Sequence, residues 1–312
     1  MKKLFLTVAL FAALVSVRSA AQTASEAEPR INRAIELLAD GQPIYYTQVA
    51  EAGYEDGVRM SQTDADYITY EMEHGAFNMS ELRAFMQGLV DGGPTPTGHR
   101  TPTVIATLPV TGLDEATMRA NAWLVQQVLA AGVHGILLCH ARDPEAARAM
   151  IEASRYPFAP EADGLDQGFR GAGSQGFAAR IWGVSGNEYL RRADPWPLNP
   201  DGELFFGVKI EDSYALENAE LTTRVAGLGF AEWGPSDMQF WLHGIPEPGV
   251  NTQAQPEMAA ARERIFQASR DAGLYFLNSC NDSNVTQMID EGVMICTGGS
   301  TVGREYTGRQ MP

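Results

Sequence analysis

Apolar runs of strand length recur along this chain at intervals too long for β-hairpins. They read IYYTQV (44–49), YITYEME (67–73), TVIATL (103–108), GILLCH (135–140), LFFGVKIE (204–211), GFAEWG (229–234), LYFLNSC (274–280) and VMICTGG (293–299). Between them lie stretches with helical patterning, among them SELRAFMQGLV, EATMRANAWLVQQVLAAG, PEAARAMIEASR, ALENAELTTRVAG, PEMAAARERIFQASRDAG and NVTQMIDEG. Two of these begin at Pro, a favoured first helical position, and several end at Gly, a favoured stop. Eight alternating units predict a closed parallel sheet, an α/β protein of the (β/α)8 TIM-barrel class. The rival is an open doubly wound sheet, but no GxGxxG follows the first strand.

One stretch breaks the alternation. Residues 156–203 carry Gly, Pro, aromatic and charged residues without a strand–helix repeat, and a loop of that length inside a domain is usually functional or disordered. Its Trp182, Tyr189 and Trp196 favour an ordered lid over a site. At the amino terminus, MKK is followed by the apolar run LFLTVALFAALVSV and by small residues at a cleavage site. That pattern predicts a signal peptide over 1–21 and a periplasmic or secreted protein, with 22–312 a single barrel domain. Arg18 interrupts the apolar run too early for a membrane span.

Removing Lys2, Lys3 and Arg18 takes the formal charge from −16 to −19. So acidic a chain is a poor partner for nucleic acid or anionic membrane, since phosphate binding needs a basic patch. Cys139, Cys280 and Cys296 are too few and too scattered for a disulfide framework and read as small core residues.

The chemistry gathers at strand ends, where barrels of this class hold their active sites. In LFFGVKIEDS (204–213), Lys209 and Glu211 share one face with Gly207, while Val208 and Ile210 face the other way. Glu71, Glu73 and His74 follow the second strand, Cys139 and His140 end the fourth, and Asp237 follows the sixth in WGPSD. Glu211 and Asp237, from adjacent strands, suit a divalent cation that takes further ligands from water and substrate. A helix cap is the plainer reading of Asp237. His140 reads either as a partly exposed loop histidine or as a softer third ligand, which with His74 would favour a transition metal over magnesium. A Schiff-base lysine at 209 is disfavoured by the carboxylate two residues on.

Four motifs, DADYITYEMEHGAFNMSEL, RYP leading to GFRGAGS (168–174), VKIED (208–212) and GPSDM (234–238), follow one another between about Ile44 and Gly299. In order and spacing they resemble the HpcH/HpaI family of pyruvate-type, metal-dependent class II aldolases. The resemblance implies a barrel of phosphoenolpyruvate/pyruvate-domain type, with Glu211 and Asp237 as metal ligands. It implies His74 as acid/base, Glu73 as the carboxylate orienting it, and Arg170, Gly171 and Ser236 as substrate-binding positions. Where the family usually has an arginine at the end of the third strand, this chain has Thr107. Lys209, His140 or Arg142 would then grip the substrate or supply the missing charge.

The expected activity is a metal-dependent carbon–carbon lyase on an oxo or hydroxy acid or a related oxygenated small molecule, in a homo-oligomer. Mg²⁺ or Mn²⁺ is the expected cofactor, with Co²⁺, Fe²⁺ or Zn²⁺ the alternatives. The competing functions are a metal-dependent hydrolase or oxygenase on the same barrel, and a non-catalytic binding protein for small acids.

Overall fold

A computed structural model describes residues 29–245 and 254–310; the expected signal peptide lies outside them. All eight expected strands form, as β1 (Ile44–Ala50), β2 (Tyr67–Glu71), β3 (Thr103–Thr107), β4 (Gly135–Leu138), β5 (Phe206–Ile210), β6 (Leu228–Trp233), β7 (Tyr275–Asn278) and β8 (Ile295–Cys296). Each pairs in parallel with its neighbours in chain order, and β8 closes on β1. The strands therefore build a (β/α)8 barrel.

Side-chain alternation divides the core into two layers. Outward residues such as Ile68, Tyr70, Val104, Ile136, Leu138 and Val208 pack beneath the helices. Inward residues, including Tyr67, Ile105, Leu137, Phe205, Phe230 and Leu277, fill the lower lumen. Gly207 belongs to the inward set, and a Cβ there would lie 2.3 Å from the Phe230 ring. Glycine lets that ring cross the lumen, which leaves the upper level to polar residues.

Two expected helices are each broken in two. One divides into Glu115–Ala120 and Ala122–Ala130, the other into Ser213–Glu217 and Ala219–Thr222. The breaks fall at Asn121 and Asn218. Asn amides compete for backbone partners, and Asn218 Nδ2 donates to Arg142 O at 2.7 Å, tying that break to the rim.

The segment 156–203 is not a lid. It contains the helices Gln175–Trp182 and Gly186–Arg192 and packs against the amino-terminal ends of the strands, opposite the rim. Trp182 Nε1 donates to Gly132 O just before β4, and the Trp182 ring stacks on His134. Arg192 and Asn32 both donate to the buried Glu203 carboxylate. Trp196 stacks on Tyr275 at the start of β7. With the helix Arg33–Ala39, whose Ile35 and Leu38 are buried, the segment forms the floor of the barrel. Its aromatics are ordered because they cover apolar surface below the lumen.

The reading of all three cysteines as free core residues is also corrected. Cys139 is free and buried, but Cys280 and Cys296 form a disulfide across a Cα separation of 5.3 Å. Adjacent strands β7 and β8 bring together two residues 16 apart in sequence. No helix among the described residues is long and apolar enough to cross a membrane.

Candidate metal centre

β5 delivers the first two groups. Its inward face ends in Lys209 and the fully buried Glu211, with Lys209 Nζ 2.8 Å from Glu211 Oε2. Lys209 is in register with Glu232 on β6. Burial pulls the Lys209 pKa down, but Glu232, Cys139 and Glu211 together raise it above the ordinary lysine value. It is a fixed cation and a poor amine nucleophile. Burial pushes the Glu211 carboxyl up to about 7 against the pull of Lys209, and burial likewise raises Glu232 to about 7. Such a site holds more carboxylate than one lysine neutralises.

The loop after β2 supplies Glu73. The Glu71 carboxylate accepts from the backbone N–H groups of Glu73, His74 and Gly75 at 2.6, 2.8 and 2.9 Å. Thr107 Oγ1, at the end of β3, accepts from Met72 N at 2.8 Å and Glu73 N at 3.2 Å. So pinned, the loop turns the Glu73 side chain inward, with 6% of it exposed, and His74 outward, with 69% exposed. Glu73 Oε1 is buried without a hydrogen-bond partner and lies 3.7 Å from His140 Nε2. The substrate-binding role expected of Thr107 is corrected: its hydroxyl is occupied by the loop.

His140 takes a left-handed backbone, φ 45°, a conformation found in a few per cent of non-glycine residues and tolerated by Asn, Asp and His better than by most. Its N–H donates to Glu211 Oε1 at 3.0 Å, which fixes that turn against β5. Its Nδ1 lies 2.8 Å from Asp212 Oδ2, an oxygen that also accepts from Arg142 Nε at 2.9 Å. Asp212 Oδ1 in turn caps the helix Ser213–Glu217 by accepting from Ala215 N. Burial would raise the Asp212 pKa, but the bonds from His140, Ala215 and Arg142 bring it below the ordinary value. The Asp212 bond raises the pKa of His140, with burial opposing and Glu211 and Glu73 assisting. Arg142 is held over the rings of Tyr214 and Trp241, 5.1 and 4.8 Å from their centroids.

Asp237 comes from the first turn of the helix Pro235–His243. One ligand atom from each of His140, Glu211 and Asp237 lies within 4.8 Å of the others, and the same holds for Glu73, Cys139 and Glu211. Burial raises the Cys139 thiol above its ordinary value, so an ion in the second set would first have to displace its proton, whereas the first set offers two carboxylates and an imidazole. Gly234 makes room for it, since a Cβ there would lie 2.6 Å from Glu211 Oε2. Two carboxylates and an imidazole, beside the unpartnered Glu73 oxygen, fit a divalent cation.

The remaining expected residues divide. Ser236 is exposed beside Asp237, and Arg142 joins the cluster through Asp212. Arg170 and Gly171 lie apart from it. The Arg170 guanidinium is buried, donates to Tyr189 and lies over the Tyr156 ring. Asp212 and Glu232 were not anticipated as site residues. Glu232 carries a readable signal, two positions after inward Phe230; Asp212 resembles an ordinary helix cap, which it also is.

No family model matches the chain. It is 30% identical over 190 residues to a hydroxypyruvate/pyruvate aldolase of Deinococcus radiodurans, covering 60% of this chain and 62% of that one. It is 29% identical over 150 residues to a 2-keto-3-deoxy-L-rhamnonate aldolase of Salmonella schwarzengrund, covering 48% of this chain and 50% of that one. A solved HpcH/HpaI aldolase/citrate lyase family protein from Burkholderia cenocepacia shares the fold at a TM-score of 0.66 and 16% identity, over 89% of this chain and 96% of that one. The chain is thus similar in sequence to pyruvate-type aldolases and shares its fold with an HpcH/HpaI aldolase/citrate lyase family protein. The chain spans between half and two thirds of the length of the two sequence relatives. The solved structure speaks for its barrel alone.

Proposed function

We propose that this chain is a divalent-metal-dependent carbon–carbon lyase of aldolase type, acting on an oxo or hydroxy acid. The observation that carries the reading is the convergence of Glu211, Asp237 and His140 within 4.8 Å at the carboxyl rim of the barrel. The relatives' names, hydroxypyruvate/pyruvate aldolase and 2-keto-3-deoxy-L-rhamnonate aldolase, support the reaction class. Glu211, Asp237 and His140 would hold a divalent cation, which would supply Lewis acidity toward a substrate carbonyl.

The chain's own residues do the rest. Lys209, fixed 2.8 Å from Glu211, places a permanent positive charge where an anionic substrate enters. Arg142 adds a second, anchored by Asp212 and two aromatic rings. His74, exposed at the mouth and 3.6 Å from Glu73, is placed to exchange a proton between substrate and solvent, as a general acid/base requires.

Action outside the cytoplasm belongs to the same proposal. It is supported by the amino-terminal pattern and by the Cys280–Cys296 bridge, of a kind that persists in oxidising compartments. Assembly into a homo-oligomer is supported by the exposed Phe240, Trp241 and Ile245, since exposed apolar patches mark interaction surfaces.

The test is cleavage of a 4-hydroxy-2-oxo acid by protein supplied with Mn²⁺, read as release of the smaller 2-oxo acid. Cleavage should stop with chelator and fall by about a hundredfold or more in Glu211→Gln, the scale on which lost charge stabilisation acts. Cleavage indifferent to both would defeat the proposal, and oxygen uptake in its place would favour the oxygenase.

A further inference from the structure

We infer that His140 is a ligand of this centre through Nε2, so that the site takes a borderline transition ion in preference to Mg²⁺; the inference rests on the metal reading just proposed. His140 Nδ1 lies 2.8 Å from Asp212 Oδ2, and a carboxylate can only accept. The neutral ring therefore carries its hydrogen on Nδ1 and a lone pair on Nε2. A carboxylate behind a histidine is the usual way a metal-binding imidazole is oriented and made more basic.

That lone pair faces the cluster. Nε2 lies 3.7 Å from Glu73 Oε1 and 3.9 Å from Glu211 Oε1, beyond hydrogen-bond reach of either. Two ligands each about 2.0–2.2 Å from one ion stand roughly 3 to 4.4 Å apart, so these separations suit groups that share an ion. Glu73 Oε1 is buried without a hydrogen-bond partner, and only 6% of the Glu73 side chain is exposed. A buried carboxylate oxygen without a hydrogen bond is costly unless a positive charge, a proton on Nε2 or a bound ion, stands beside it.

The backbone argues the same way. His140 holds φ 45°, and its N–H is bound to Oε1 of Glu211, a residue of the candidate set. Strained residues kept in place by a second functional group concentrate at working sites. His74, by contrast, points outward with 69% of its side chain exposed. Imidazole suits Zn²⁺, Fe²⁺, Ni²⁺ or Cu²⁺, whereas magnesium is at home among oxygen ligands.

The experiment loads full-length protein, freed of its leader, with Mn²⁺ and records electron spin-echo modulation from directly bound ¹⁴N. Wild type and His74→Ala should show the imidazole modulation. His140→Gly, which suits the left-handed backbone, should lose it while still binding Mn²⁺. In the same variant Co²⁺ affinity should fall by about tenfold or more and Mg²⁺ affinity by less than about threefold, following ligand softness. Bound Mn²⁺ without ¹⁴N modulation in wild type, or modulation that survives His140→Gly, would overturn the inference and leave the metal reading standing. Wild type that binds none of these ions would overturn both.

Discussion

At residue scale, the two histidines that flank β4 have opposite environments. His140 is bonded to an anion, whereas His134 is fully buried and accepts from Val104 N–H through Nδ1 at 3.1 Å. Burial pushes the His134 pKa down from 6.5 to about 3, so the folded protein keeps it neutral while the unfolded chain protonates it near its ordinary value. Between those limits the unfolded state holds the extra proton, and stability falls with pH by ~1.4 kcal/mol per unit. Urea unfolding at pH 7, 6 and 5 should show this decline, and His134→Gln, which can still accept from Val104 but cannot titrate, should flatten it. Equal slopes in both proteins would show that His134 does not set the acid limb. Glu211 and Lys209 were legible in sequence because strand alternation fixes which side chains share a face. Arg170 was misplaced because its motif states that it matters, while only tertiary packing states which end of the barrel it serves.

At the scale of elements, eight strands could be read because each is short, apolar and separated by a helix-length gap. The helix breaks at Asn121 and Asn218 could not, since the partner that holds Asn218 is a carbonyl 76 residues away. The β2 loop was misread for a similar reason. Thr107 was weighed against an arginine as a substrate contact, yet its hydroxyl hangs the loop that aims Glu73. Thr107→Val keeps the shape but strands the Met72 N–H, which should cost about 1–3 kcal/mol in denaturant unfolding. Thr107→Ser should recover most of it. Equal stability of Val and wild type would show that the loop is held by Glu71 alone.

For the whole molecule, the barrel has a floor of aromatic rings and paired charges and a rim of clustered carboxylates. Floor and lid draw on the same residue types, aromatic, Gly and Pro, so composition could not say which end 156–203 would cover. The packing of Trp182 and Trp196 against Gly132, His134 and Tyr275 assigns it to the floor. The rim is left to Glu73, His140, Lys209, Glu211 and Asp237, gathered from three strand ends and a helix start. The account stands or falls on a cation binding there. Calorimetric titration of metal-stripped protein with Mn²⁺, in wild type, Glu211→Gln and Asp237→Asn, tests it most directly. One site per chain in wild type, weakened by about tenfold or more in each variant, is the predicted result. Identical isotherms in all three proteins would contradict it.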